Sequence, residues 1–183
     1  ITIDDTEAPV IDCPADIVIN LDPGACEATV NYNISATDNC DPDPVIVQTL
    51  GCPCFEFDID EHVVEFEATD IYGNTSTCSF TVTVLEYPNP ISTLTCDDLV
   101  QISLDPMGLA VIGADDILEG GPYGCYDDYI VNILNDFGFP IGNSANCSFI
   151  GQVWDIQVMD PDTGNKCWGT VVFEDKLGPT LLC

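Results

Sequence analysis

Oxygen ligands dominate the chemistry this sequence offers. It holds 32 Asp and Glu against two Lys and no Arg, a formal charge of −30. The acids gather at turns and joints: Asp4, Asp5 and Glu7 near the start, Asp38 and Asn39 in "TDNCD", Asp70 and Asn74 in "TDIYGN". A second set comprises Asp127 and Asp128, then Asp160, Asp162 and Asn165 in "DPDTGN", then Glu174 and Asp175. Such oxygens suit calcium, which takes about 6–8 of them from flexible loops. The metal ligands predicted on this basis are Asp4, Asp5, Glu7, Asp38, Asn39, Asp70, Asp160, Asp162, Glu174 and Asp175. "DPDTGN" is no EF-hand loop, because no helices flank it and no Glu closes it. Asp and Asn also stabilise turns with no metal, so only the convergence of several acids makes a site.

Eleven Cys, without the paired spacing of a zinc module, read as a disulfide framework made in an oxidising compartment. Cys13 and Cys78 bracket the first half as Cys96 and Cys167 bracket the second, and these are the expected bridges. Cys125 is then expected to join Cys147, leaving Cys26, Cys40, Cys52 and Cys54 to pair among themselves. Cys183 is the odd one.

Catalysis finds little footing, and no enzyme is expected. "CPC" followed by His62, the sole histidine, reads as disulfide chemistry beside a strand-end residue rather than a Cys-His pair. Acids are abundant, yet nothing marks one pair as poised for proton transfer. Phosphate loops and the G-x-S-x-G elbow are absent. Tyr123, Tyr126, Tyr129, Trp154 and Trp168 could form a sugar platform, but Trp154 reads as core within "VWDIQV", and Trp168 is expected to pack on the bridge of Cys167. Asn33, Asn74 and Asn146 open glycosylation sequons. The negative surface excludes DNA, RNA and anionic membrane leaflets as partners. No apolar run is long enough to span a bilayer, and with Ile1 in place of Met the chain is expected to be a processed piece of a secreted protein.

The elements that must position these groups are short β-branched runs cut by Asp, Asn, Gly and Pro. They are predicted at 16–21, 27–34, 44–50, 62–69 and 78–86, and again at 98–104, 108–114, 128–134, 151–160 and 167–175. Strands at such spacing predict an all-β protein. The two sets correspond: "DIVINLDPGA" with "DLVQISLDPMG", and the Gly-Asn turn, Cys and final strand of 68–86 with those of 158–175. The expectation is two tandem immunoglobulin-like β-sandwiches stapled by disulfides, 1–88 and 89–183, divided near "YPNP". Residues 173–183, "FEDKLGPTLLC", also repeat residues 3–13, "IDDTEAPVIDC", at an offset of 170. The chain thus reads as one period of an array, with Cys183 standing where the next first Cys would be.

The first module resembles the hyalin-repeat (HYR) family through "APVIDCPADIVI", "ATDNC" and "FEATDIYGNTSTCSFTVTV". The resemblance implies an immunoglobulin-like sandwich of extracellular, adhesive and matrix proteins, often in tandem. A departure lies at "GCPCFEFDIDEH", where that family has a Gly-containing turn. The second module, with "DILEGGPYGCYDDYIV" and "DPDTGNKCWGTVVFEDKLGP", looks like a companion repeat of large secreted proteins of Bacteroidetes-type bacteria. In such sandwiches the turns at Asp38 and Asp70 and the incoming Asp4, Asp5 and Glu7 share one pole, so calcium ligands should converge there. The joint "LEYPNPIST" keeps only Glu86 and is expected to be stiffened by Pro and Tyr instead.

The function expected is structural: a tandem-repeat module of an extracellular or cell-surface fibre, stalk or adhesin shaft, stiffened by calcium at its acidic joints. Its partners would be neighbouring copies of the repeat, with self-assembly into a filament as an extension. The competing reading is a carbohydrate- or protein-binding adhesion module. Repeated joints favour the shaft, whereas a receptor needs one distinctive site.

Overall fold

In a computed structural model the chain is all-β, and residues 5–176 are described. It divides into two compact units, 1–22 with 26–88 and 23–25 with 89–183.

The first unit is built on one four-stranded sheet. Its strands are β2 (Ile17–Asn20), β5 (Val45–Leu50), β7 (Asp60–Thr69) and β8 (Thr75–Leu85), in the order β2-β8-β7-β5. β2 runs parallel to β8, and the other neighbours are antiparallel. Two short pairs complete the unit, β1 (Val10–Asp12) with β4 (Ser35–Thr37) and β3 (Glu27–Thr29) with β6 (Glu56–Asp58). Along β7 and β8 every second residue points inward, burying Val64, Phe66 and Ala68, then Phe80, Val82 and Val84. Tyr32 fills the remaining gap, its ring 5.0 Å from Phe80 and 5.4 Å from Phe55.

The second unit repeats the plan. β9 (Val100–Ser103), β11 (Ile130–Leu134), β13 (Val153–Met159) and β14 (Lys166–Glu174) order as β11-β13-β14-β9, with β9 parallel to β14. β10 (Leu109–Val111) pairs with β12 (Ser144–Asn146). Ile112, Ile117, Ile133, Ile156, Val158 and Val171 are fully buried around Tyr123. That tyrosine is core because its hydroxyl is satisfied, donating to the Glu119 carbonyl at 2.7 Å and accepting from the Thr95 N–H at 3.1 Å. Segment 113–125 forms turns rather than a strand, with a single bridge between Cys96 and Leu118.

Disulfides join Cys13 to Cys78, Cys96 to Cys167 and Cys52 to Cys54. The first two span sequence separations of 65 and 71, and loops of that length restrict the unfolded chain by about 4 kcal/mol each. Two expected pairings fail. Cys147 is an exposed thiol, so Cys125, which is oxidised, does not pair with it. Cys40 is also an exposed thiol, so of Cys26, Cys40, Cys52 and Cys54 only Cys52 and Cys54 pair with each other. The Cys147 sulfur lies instead 3.7 Å from the Gly108 carbonyl. Trp168 differs too: it stands 58% exposed because it follows Cys167 in a strand, and successive side chains take opposite faces. Among the described residues no helix is long and apolar enough to cross a membrane.

Candidate metal centre in the first unit

The acids of the first unit meet where β7 turns into β8. The turn Asp70-Ile71-Tyr72-Gly73-Asn74 closes with the Asp70 N–H on the Asn74 carbonyl at 3.1 Å, and it needs a left-handed residue at Gly73, φ +88°. Asp70 organises it: one carboxylate oxygen accepts the N–H groups of Tyr72 and Asn74 at 2.9 and 2.8 Å, and the other accepts the Asn74 amide at 2.7 Å. The same amide reaches the backbone oxygen of Asp5 at 3.2 Å, pinning the incoming segment to the turn. Burial pushes the Asp70 carboxyl up, but these donors outweigh it, and the group sits below its ordinary value as a carboxylate.

The loop before β5 supplies the second wall. Asp38 accepts the N–H groups of Cys40 and Asp41 at 2.9 and 2.8 Å, a turn built on its own side chain. Asn39 donates its amide to Glu7. Asp41 is buried and ties the two loops together, accepting the Ile71 N–H at 2.9 Å and the Asp43 N–H at 3.0 Å. It was missed in the sequence because it reads as one more turn acid in "DNCDPD"; Pro on either side of Asp43 was the signal that this loop is fixed rather than solvated.

Asp5, Asp38 and Asp70 each present a carboxylate oxygen, and the three lie within 4.8 Å of one another. One cation with bonds of about 2.3–2.6 Å can touch all three, since two of its ligands lie at most about 5 Å apart. The fit has an independent mark: Asp5 Oδ2 is buried and accepts no hydrogen bond, a costly state for a carboxylate oxygen that no donor or cation satisfies. Cys40 registers the same negative field. Burial, then the Asp5 charge and its hydrogen bond, then Asp38 and Glu7, hold its thiol above its ordinary value. An open depression of about 300 Å³, lined by Glu7, Ala8, Val10, Thr37, Asp38 and Asn39, adjoins the cluster.

Of the predicted ligands in this unit, Asp5, Asp38 and Asp70 are brought together, Glu7 and Asn39 bond each other beside them, and Asp4 lies outside the described residues. The second unit differs. Asp160 spends its carboxylate on its own turn, accepting the Asp162 N–H at 2.9 Å and the Thr163 hydroxyl at 2.6 Å. Burial pushes its carboxyl up, but these bonds outweigh it, so it sits below its ordinary value. Glu174 pairs with Lys176 at 3.0 Å. Asp160, Asp162, Glu174 and Asp175 form no cluster of metal-ligating oxygens with one another.

The other sequence candidates sort by exposure. Tyr123 is buried, with Tyr126 and Tyr129 packed on it at 6.4 and 6.2 Å, so the three form core and no platform. Trp154 stacks on Phe149 at 4.5 Å. His62 meets Asp58 at 3.0 Å. Asn33 is exposed, the Asn74 amide is occupied in the turn, and Asn146 caps a 3-10 turn by accepting the Ser148 N–H at 2.9 Å.

Residues 4–84 match the family model of the HYR domain, so the acid cluster lies in sequence of that type. A stretch of 89 residues, 48% of this chain, is 33% identical to the Sushi, von Willebrand factor type A, EGF and pentraxin domain-containing protein 1 of Rattus norvegicus, of whose length the chain spans 2%. Solved structures that resemble it include Drosophila N-cadherin EC1-4, at 11% identity, TM-score 0.33, 93% of this chain and 50% of that one. The extracellular domain of protocadherin GammaB4 resembles it at 12% identity, TM-score 0.35, 96% of this chain and 36% of that one. Likenesses this faint leave the functional reading to the site and the HYR match.

Proposed function

We propose that this chain is a structural module of an extracellular adhesion-type shaft, in which calcium bound by Asp5, Asp38 and Asp70 stiffens the joint entering the first unit. The observation that carries this reading is that Asp5, whose Oδ2 is buried and accepts no hydrogen bond, brings its carboxylate together with those of Asp38 and Asp70. Asp5 belongs to the incoming segment, whereas Asp38 and Asp70 belong to loops of the sandwich, so a shared ion would fasten the one to the other. The repetition of 3–13 at 173–183 supports a series of such joints made by neighbouring copies. Among the described residues no ion pair neutralises these three carboxylates, so they repel one another and metal binding there also relieves a cost to folding. The HYR match and the disulfides support an extracellular place.

The test is the solution length of a chain of two or more periods, by small-angle scattering in calcium and in EDTA. An extended particle that shortens on chelation supports the shaft, and an unchanged particle removes calcium from it. The binding-module reading keeps one observation in its favour, the exposed Trp168 on the outer face of β14. A glycan array separates the two, because Trp168→Ala abolishes binding only if that face is a receptor.

A further inference from the structure

Each unit carries cysteines at its two ends beyond the bridge within it. At the incoming end of the first unit Cys40 lies five residues before β5, and at the same end of the second unit Cys125 lies five residues before β11, the matching edge strand. At the outgoing end of the first unit, where the Leu21 N–H meets the Leu85 carbonyl, Cys26 adjoins β3. At the outgoing end of the second, where the Leu104 N–H meets the Glu174 carbonyl, Cys147 adjoins β12, its sulfur 3.7 Å from the Gly108 carbonyl. Cys26 and Cys125 are oxidised, while their positional counterparts Cys147 and Cys40 are exposed thiols. The thiols therefore stand at the incoming end of the first unit and the outgoing end of the second. In the series of copies proposed above, the outgoing end of one copy is followed along the chain by the incoming end of the next.

We propose that Cys147 of one copy forms a disulfide with Cys40 of the following copy, locking covalently the joint at which Asp5, Asp38 and Asp70 gather. The inference rests on the reading of the chain as a repeating shaft module. Each thiol gives up a proton, and two electrons pass to an oxidised disulfide carrier such as glutathione disulfide. One thiolate attacks the carrier's S–S bond to give a mixed disulfide and release one carrier thiol, and the other thiolate then displaces the second as the Cys40–Cys147 bond forms. The partner is a second copy of this chain.

The experiment mixes ¹⁵N-labelled and unlabelled chain carrying Cys183→Ser, so that the odd cysteine is silent, in glutathione disulfide, and maps peptides without reduction. The expected result is a Cys40 peptide joined to a Cys147 peptide of the other isotope, with a ladder of covalent oligomers. Cys40→Ser and Cys147→Ser each abolish the ladder, and their equimolar mixture yields one covalent dimer. Thiols that both remain open to iodoacetamide, links of Cys40 to Cys40 or Cys147 to Cys147, or a bond within one chain would overturn it. Calcium-dependent extension with both thiols unbonded removes the disulfide and leaves the shaft reading standing. The mixed link formed equally in EDTA supports the disulfide whatever becomes of calcium.

Discussion

Asn74 reaches across 69 positions of sequence to donate its side-chain amide to the backbone oxygen of Asp5 at 3.2 Å. Asn165 does the same in the second unit, donating to the Ser92 carbonyl at 2.8 Å across 73 positions. In both, a glycine with positive φ, Gly73 or Gly164, precedes the asparagine and aims it back at the incoming chain. The joint is thus anchored from the turn before the last strand. Asn74→Ala should free the incoming segment and cost about 1–3 kcal/mol, because the amide gives up two hydrogen bonds, one to the Asp5 backbone oxygen and one to the Asp70 carboxylate. Hydrogen exchange at residues 5–9 should rise in that variant, while exchange within β13 and β14 stays unchanged.

Asp41 is the second anchor. Replacing it with Ala removes the charge-assisted bonds that Asp41 makes to the Ile71 and Asp43 N–H groups, at a cost of about 1.5–3 kcal/mol. Chemical denaturation of Asp41→Ala should show that loss. Asp43→Ala, an exposed neighbour, should stay within about 0.5 kcal/mol of the parent.

The sandwich was legible because its signals are local. The inward alternation of β7 and β8, the paired Gly-Asn turns and the doubled Asp-Pro turns each lie within one short stretch. The strands β1, β4, β6 and β12 were not predicted as separate elements, since three residues hold too little pattern to show a period. The pole at Asp5, Asp38 and Asp70 could be located because the turns that carry it are themselves sequence signals. The matching acids of the second unit could not be told apart from them by type alone. Both Asp70 and Asp160 accept hydrogen bonds within their own turns, but among the described residues only Asp70 meets two further carboxylates, and Glu174 differs through Lys176. The bridges Cys13–Cys78 and Cys96–Cys167 were legible from their matching places in the two halves, whereas the pairings given to Cys147 and Cys40 failed, because spacing along the chain does not say which cysteines come opposite each other.

Acid should act on the second unit through Asp160. Its folded pKa lies below that of the unfolded chain, so its contribution is present above the unfolded value, about 3.9, and is lost as pH falls through the folded one. Stability should therefore drop below about pH 4. Thr163→Val should raise the Asp160 pKa toward the ordinary value and flatten that limb, as read by carboxyl NMR titration.

Tyr123→Phe keeps the ring and removes the hydroxyl, leaving the Thr95 N–H and the Glu119 carbonyl without their partner. The expected loss is about 1–3 kcal/mol. It should appear as earlier melting of the second unit's near-ultraviolet signal, with the first unit's transition in place.

Calorimetric titration of calcium into the parent chain and Asp5→Asn tests the central claim most directly, joined to melting at about 5 mM calcium. Asp5→Asn keeps the side chain's size but removes the charge of the group whose Oδ2 lacks a donor. Binding of one ion is predicted in the parent, with stabilisation of about 1.4 kcal/mol at a calcium concentration roughly ten times Kd. The variant should bind about tenfold more weakly, yet in EDTA it should melt higher than the parent, because one of three mutually repelling charges is gone. Calcium that neither binds nor moves the parent's melting temperature, with Asp5→Asn behaving alike in both buffers, would contradict the account.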